Sequence, residues 1–566
     1  MKSPWKLVLL ATTVLGIAPS MFSQAKNIYI TQNGSPSGNC TTNVQSLLWF
    51  NNGANWGNGP SQIGPGTTVL VCGTFTLAAG GTGFQFQGSG SNNSPITFQF
   101  DNGATIQAPY FSGTDEGGSG SLDSGGGVDI NGYNYITVDG QSTGVIQATA
   151  NGSNLANQRA GVGVYAYGDH ILIENLTIQG IYVNGSSEPT GWTNGQYSAD
   201  ILVDYGSTNI EICNNTLSDG RSGIAARLSG GGGSSMNGPN GCTNAQANSG
   251  WNIHGNSLNN HGWHIVSGGA ATINVYNNSV GPGWWVYPDC GAPAYSCNYH
   301  TDGIFFNGSG VTTAYVYNNY VYGTNKGYET GDVYCSIDFG SDVSGTQCNV
   351  FNNILVGVVG SGTGAIGSGG AVEIADQGYN GTQYIYNNVL QGGSYSIWCC
   401  YTNGISSPQT RVTSQNNILI GQSQSIVPLG GWTIVNQSPC SYTTENYDLI
   451  YNERNGGGEG CNSVTYNFSS WQGIGQNKSG VYANPNLNSD YSPASGSPAI
   501  GLGTNLTGLG NNALDVSAPM GFGAGGSCGA GCQSRPGSGA GSWDSGAYEA
   551  SATAPAPPTN VVATVN

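Results

Sequence analysis

The chain has 566 residues, a formal net charge of −18, and only 11 Lys and Arg against 29 Asp and Glu. Cations this sparse exclude a nucleic-acid binder, whose affinity comes from neutralising phosphates. Gly accounts for 95 residues and charged residues for 7%, a composition shared by disordered chains and turn-dense β folds. The regular alternation of aliphatic and aromatic residues decides for the β fold, because it supplies a core to bury.

Residues 1–25 carry Lys2 and Lys6, an apolar run from Leu7 to Ile17, and a Ser23-Gln-Ala25 end. This reads as a secretory signal peptide, the apolar run being short for a membrane span. The mature protein is therefore expected to be secreted, with no membrane span. In residues 26–110, Asn27-Ile-Tyr-Ile30 and Thr68-Val-Leu-Val-Cys72 are expected to form an N-terminal cap and first strands, since a solenoid must cover its open edge.

Residues 111–430 hold an internal repeat in which apolar alternation leads into an Asn pair and then a branched aliphatic. It recurs as Ile210-Glu-Ile-Cys-Asn-Asn215, Ile273-Asn-Val-Tyr-Asn-Asn278, Tyr315-Val-Tyr-Asn-Asn319, Val350-Phe-Asn-Asn353, Ile385-Tyr-Asn-Asn388 and Gln415-Asn-Asn417. The interval from Asn256 to Asn278 leaves no room for a helix and fits one coil of a parallel β-solenoid, the longer intervals being a coil plus an inserted loop. The Asn pair is expected at a bend, bonded to turn backbone and to the Asn of the next coil. Residues 431–550 close the fold as irregular coils and a C-terminal cap, with Asp490-Tyr-Ser-Pro and Trp543-Asp-Ser-Gly-Ala-Tyr-Glu549 as closing segments. Residues 551–566 form a Pro-rich tail.

Fourteen Cys in an exported chain imply disulfides. The simplest pairing joins near neighbours: Cys40 with Cys72, Cys213 with Cys242, Cys290 with Cys297, Cys335 with Cys348, Cys440 with Cys461, and Cys528 with Cys532. Cys399 and Cys400 either bond to each other or pair elsewhere.

On these repeats the chain resembles the right-handed parallel β-helix proteins, which include pectate lyases, polygalacturonases and many secreted bacterial proteins. The resemblance implies an all-β, right-handed parallel β-helix with N- and C-terminal caps, a fold shared by lyases, hydrolases and adhesins. Function is then expected on one outward strip, where equivalent side chains stack about 4.8 Å apart. Counting coils along that strip gives Leu202, Ala225, Ile265, Phe305, Asp338 and Glu373 as successive outward residues. Asp338 and Glu373 would be stacked neighbours, and their repulsion would make an acid/base pair.

Asp302 precedes the strip in Tyr299-His-Thr-Asp-Gly-Ile304, which is similar to the Asn-Thr-Asp-Gly motif of polygalacturonases, whose Asp is an active-site carboxylate. The match covers Thr301, Asp302 and Gly303. His300 replaces the Asn, and the downstream motifs are missing, which counts against a polygalacturonase proper. Trp284, Trp285 and Tyr287 would offer a sugar-stacking platform, with His300, Arg227 and Asp204 as further substrate contacts and Arg221, His261 and His264 nearby. The alternative is that the Trp residues fold back as a plug.

The expected catalytic residues are thus Asp302, Asp338 and Glu373, and the expected partner is a polysaccharide or cell-surface glycan. The leading expectation is a glycoside hydrolase, followed by a non-catalytic surface or matrix protein. Third is a polysaccharide lyase in which Ca²⁺, held by Asp and backbone oxygens, would bridge an anionic glycan.

Overall fold

The computed structural model describes residues 26–113, 124–151, 161–182, 198–204, 207–226, 251–261, 263–267, 272–282, 303–307, 313–323, 333–336, 347–356, 370–375, 382–392, 395–401, 411–421, 432–436, 443–452, 459–461, 464–507, 535 and 542–549. Three sheets run the length of the molecule, of 14, 13 and 13 strands. Within each, a strand pairs with its counterpart one coil earlier and one coil later, and nearly every pairing is parallel. The fold is the expected right-handed parallel β-helix. Among the described residues no helix is long and apolar enough to cross a membrane.

Period-two alternation builds the interior. In the first sheet Ile173, Ile212, Ile253, Val275, Val316, Val350 and Ile385 lie in register and are buried. Ile106, Ile146, Ile178, Leu217 and Leu258 do the same in the second, and Val164, Ile201, Ile224, Ile265 and Ile304 in the third. One continuous apolar column results, because a one-residue slip would turn each strand inside out.

The Asn pair sits at the bend between the first and second sheets, and its two members do different work. The first takes the left-handed conformation, with φ 56° at Asn214, 55° at Asn277, 57° at Asn318 and 55° at Asn352, which Asn adopts more readily than most residues. The second points inward and forms a ladder. The backbone N–H and Nδ2 of Asn256 both donate to Oδ1 of Asn278 at 3.0 Å, and its Nδ2 also reaches the Ile212 carbonyl at 2.9 Å. The pattern repeats through Asn319, Asn353, Asn388 and Asn417. Every buried amide in that run is satisfied by the coils on either side, as the sequence leads one to expect.

Each end of the column is covered. At the start, Ser46 caps the short helix Leu47–Phe50, and Phe50 meets Trp56, Phe84, Phe86 and Phe98 edge-on. The Cys40–Cys72 disulfide ties this region to the first coils. At the other end Asn467 caps the helix Phe468–Gly473, whose Trp471 donates from Nε1 to Glu445 at 2.6 Å.

The final segment runs along the side of the helix. Ala499, Ala547 and Tyr548 pack on Ile354, Val389, Ile418 and Leu449 of the second sheet, while Leu506 and Trp543 join Tyr276, Tyr317, Phe351 and Tyr386 of the first. Gly546, at φ 97°, comes so close that a Cβ would lie 2.7 Å from Ile418 Cδ1. Arg535 pins the strap through Glu549 at 2.9 Å and the Gly546 carbonyl at 2.9 Å, under the Trp543 ring at 5.1 Å.

Candidate functional site

The strip singled out in the sequence is the outer face of the third sheet, and its register differs from the one counted there. Ile265 is buried, paired with Ile224 and Ile304, and Val266 is the backbone partner of Ala225 and Phe305. The backbone neighbour of Glu373 is Tyr334, which also pairs with Phe305. Strand Val333–Ser336 thus puts Tyr334 at the backbone place beside Glu373 that the sequence count gives to Asp338. The cause is local: Val333 and Cys335 alternate as well as Ile337 and Phe339, and periodicity alone does not choose between them. Asp302, Asp338, Trp284, Trp285, Tyr287, His300 and Arg227 lie outside the described residues.

The described part of that strip is closed. Asp129, Tyr165, Leu202 and Ala225 follow one another in register and are all buried. Asp204 is buried too, accepting a hydrogen bond from the Tyr165 hydroxyl. Burial pushes the Asp129 carboxyl up to about 7, against the Gln85 side chain, which favours the ion. His261 and Asp200, 2.8 Å apart and fully enclosed, form a second buried pair. Burial drives the imidazole down to about 3 and, together with the Asp219 charge, raises the Asp200 carboxyl.

Chemistry concentrates instead on the outer face of the first sheet. There the strands Ile136–Asp139, Asp169–Glu174, Thr208–Cys213, Trp251–His254 and Thr272–Tyr276 are consecutive. Their register makes Asp139, Glu174, Cys213, His254 and Tyr276 one column. Glu211 stands two residues before Cys213, in the adjacent column. His254 Nε2 lies 3.0 Å from Glu211 Oε1, and the imidazole stacks on Tyr276 at 4.5 Å and 7°. Beyond it the rings of Tyr276, Tyr317 and Phe351 continue as a parallel stack 4.9 and 5.0 Å apart. Asp139, Glu174, Glu211 and His254 keep between 4 and 8% of their surface exposed.

The electrostatics follow from that stacking. Glu174 is pushed up to about 7, first by burial and then by the charges of Asp139 and Glu211. Burial, then the charge of Glu211, raises Tyr276 as well, so its phenol keeps its proton. Glu211, Cys213 and His254 bring one ligand atom each within 4.8 Å of one another, but Cys213 is disulfide-bonded. A zinc-type centre needs the free thiolate, so this set does not fit one.

No protein-family model and no curated protein matches the chain. Among solved structures, a rhamnogalacturonan lyase matches with a TM-score of 0.28 and 13% identity, covering 78% of this chain and 86% of the other. A PL6 alginate lyase in complex with a trisaccharide matches with a TM-score of 0.30 and 11% identity, covering 80% and 86%. Likeness at this level carries nothing about the site.

The acid tract was present in the repeat phrase itself. Counting back from the second Asn, the residue two places earlier is Cys213, His254, Tyr276, Tyr317, Phe351 and Tyr386 in turn, and four places earlier than Asn215 stands Glu211. Aligning coils on that Asn, instead of on the strand before it, finds the column.

Proposed function

We propose that this chain is a polysaccharide-active β-helix protein that cleaves its glycan by proton transfer at the outer face of the first sheet. The observation that carries the reading is His254, 3.0 Å from Glu211 and stacked on Tyr276, on the face where Glu174 pairs with Asp139 and feels the charges of both Asp139 and Glu211. Like charges on adjacent coils cost stability, and such a cost is a mark of a working site.

Elimination is the reaction these residues support best. In the tautomer whose Nε2–H donates to Glu211, His254 presents Nδ1 as the base that takes the proton from the carbon next to a uronate carboxylate. The electron pair of that C–H bond becomes a C=C bond, the bond to the glycosidic oxygen breaks, and the leaving oxygen takes the proton of the Tyr276 hydroxyl. Glu174, protonated near neutrality, donates a hydrogen bond to the substrate carboxylate and so admits an anion to an acidic site. The hydrolase expectation rests on Asp338 beside Glu373, and Asp338 lies outside the described residues. A second reading, a glycan-binding protein without turnover, is favoured by the near-complete burial of the tract.

The test is incubation with alginate, polygalacturonate and neutral glycans, following ultraviolet absorbance of the new conjugated double bond and release of reducing ends. Both signals should rise together on a uronate polymer and fall by about a hundredfold or more in Glu174→Ala and His254→Gln. Reducing ends without absorbance would replace elimination by hydrolysis, and no turnover on any polymer would leave the binding reading.

A further inference from the structure

A second constellation lies at the corner between the third and first sheets, on the two coils that carry Asp139 and Glu174. Unlike the acid tract it is open to solvent. Tyr167, which follows the strand Val162–Ala166, is 38% exposed and rests against Gly132 of the coil before it. Three residues on, His170 stacks on Tyr135 with ring centroids 4.5 Å apart at 25°. His170 Nδ1 lies 2.7 Å from Asp169 Oδ2, and these two side chains are 35 and 34% exposed. Asp169 is fixed from the next coil, accepting from the Thr208 hydroxyl and from Asn209 Nδ2 at 2.7 Å. Burial opposes its ionisation, but these donors and His170 hold its carboxyl below the usual range.

The backbone adds an independent observation. Tyr135, His170 and Asn209 occupy one register position on three consecutive coils, with φ 56°, 58° and 52°. That left-handed conformation suits Asn and is costly for bulky side chains. Asn209 meets the need at the third coil, so the rings at the first two are held against a conformational preference that Asn would satisfy.

We propose that Tyr135, Tyr167 and His170, with Asp169, form a surface site that holds the apolar face of a sugar ring in a glycan chain. Aromatic faces take the axial C–H groups while the fixed carboxylate accepts hydroxyl protons. The site stands whether or not the acid tract is catalytic. It also lies on the same strands, His170 being four residues, about 13 Å, from Glu174, so a glycan seated on the platform and running along the strand reaches the acid tract.

The experiment is affinity electrophoresis and titration calorimetry of the full chain with soluble xylan, glucomannan, alginate and polygalacturonate. Tyr135→Asn/His170→Asn removes both rings while supplying a side chain that accepts the left-handed backbone, and Tyr167→Ala removes the third. Each should weaken binding of the preferred glycan by about tenfold or more, with an unchanged circular dichroism spectrum, whereas Leu48→Ala, exposed at the N-terminal cap, should leave that affinity intact. Unchanged affinity in the ring variants, or a wild-type chain retained by none of the four glycans, overturns the proposal. Loss of turnover in His254→Gln reports on the acid tract alone, so the two readings fail separately.

Discussion

Asp448 should make the stability of the helix depend on pH in a way that one substitution removes. It occupies the ladder place that Asn holds in earlier coils, accepting from the backbone N–H and Nδ2 of Asn417 at 2.6 and 3.1 Å and from the Ser414 hydroxyl at 2.6 Å, while its own N–H donates to Asn477. Burial pushes its carboxyl up to about 7, against those donors, from 3.8. The folded state therefore binds the proton more tightly than the unfolded one. That contribution is fully present below the unfolded pKa and is lost as pH rises through about 7. A gap of about 3 units corresponds to about 4 kcal/mol at most.

Asp448→Asn keeps an acceptor for Asn417, offers Nδ2 to Ser414 and carries no charge. Urea unfolding followed by tryptophan fluorescence should give similar stabilities for the two proteins near pH 4 and a more stable variant near pH 9. The difference should open between those limits. Other buried carboxyls, such as Glu174 and Glu549, titrate in both proteins and cancel in the comparison. Parallel pH profiles would refute the reasoning.

Asn319→Ala removes the acceptor for Asn278 and the donors to Asn353 and to the Val275 and Tyr317 carbonyls; the buried groups left unpaired should cost about 3 kcal/mol in the same unfolding assay. Replacing Cys40 and Cys72 by Ala opens a loop closed across 32 residues and should lower stability by about 4 kcal/mol on the chain-entropy account, read as a lower urea midpoint. If Glu174 must be protonated to meet a uronate, turnover should fall as pH rises through about 7, and Glu174→Gln, which keeps a donor and does not titrate, should lose that limb; an unchanged limb would assign it to another group.

The fold was legible because its signal repeats and its chemistry is local. A left-handed residue followed by an inward amide is a demand that Asn meets twice over, and the parallel sheets need that bend at every coil. The ladder tolerates substitution only where another oxygen acceptor stands in, which is why Asn446-Tyr-Asp448-Leu-Ile450 continues the phrase without an Asn pair. Tyr447 takes the left-handed place at φ 60° and Asp448 the inward one. Read with that rule, the repeat extends two coils beyond the last Asn pair, to Asn477.

The site was harder to read because alternation tells inside from outside without telling which sheet carries the chemistry. Each coil has three outward faces, and the sequence motif at Asp302 points to the third sheet. What distinguishes the first sheet is a conflict between levels: its outer face reads as polar and aromatic in sequence, yet Glu174, Glu211, His254 and Tyr276 are buried on it. Burying three acids on neighbouring coils is costly. That cost depends on how segments far apart in sequence cover the sheet. The strap that brings Trp543 and Leu506 onto Tyr317 and Phe351 is such a segment, and at 543 against 317 no local pattern could have announced it. The exposed corner at Tyr135 and His170 hides for the opposite reason. Its rings follow Asn134 and Asp169 as ordinary turn residues would, and only the positive φ they share with Asn209 shows that they occupy a place where Asn would sit more easily.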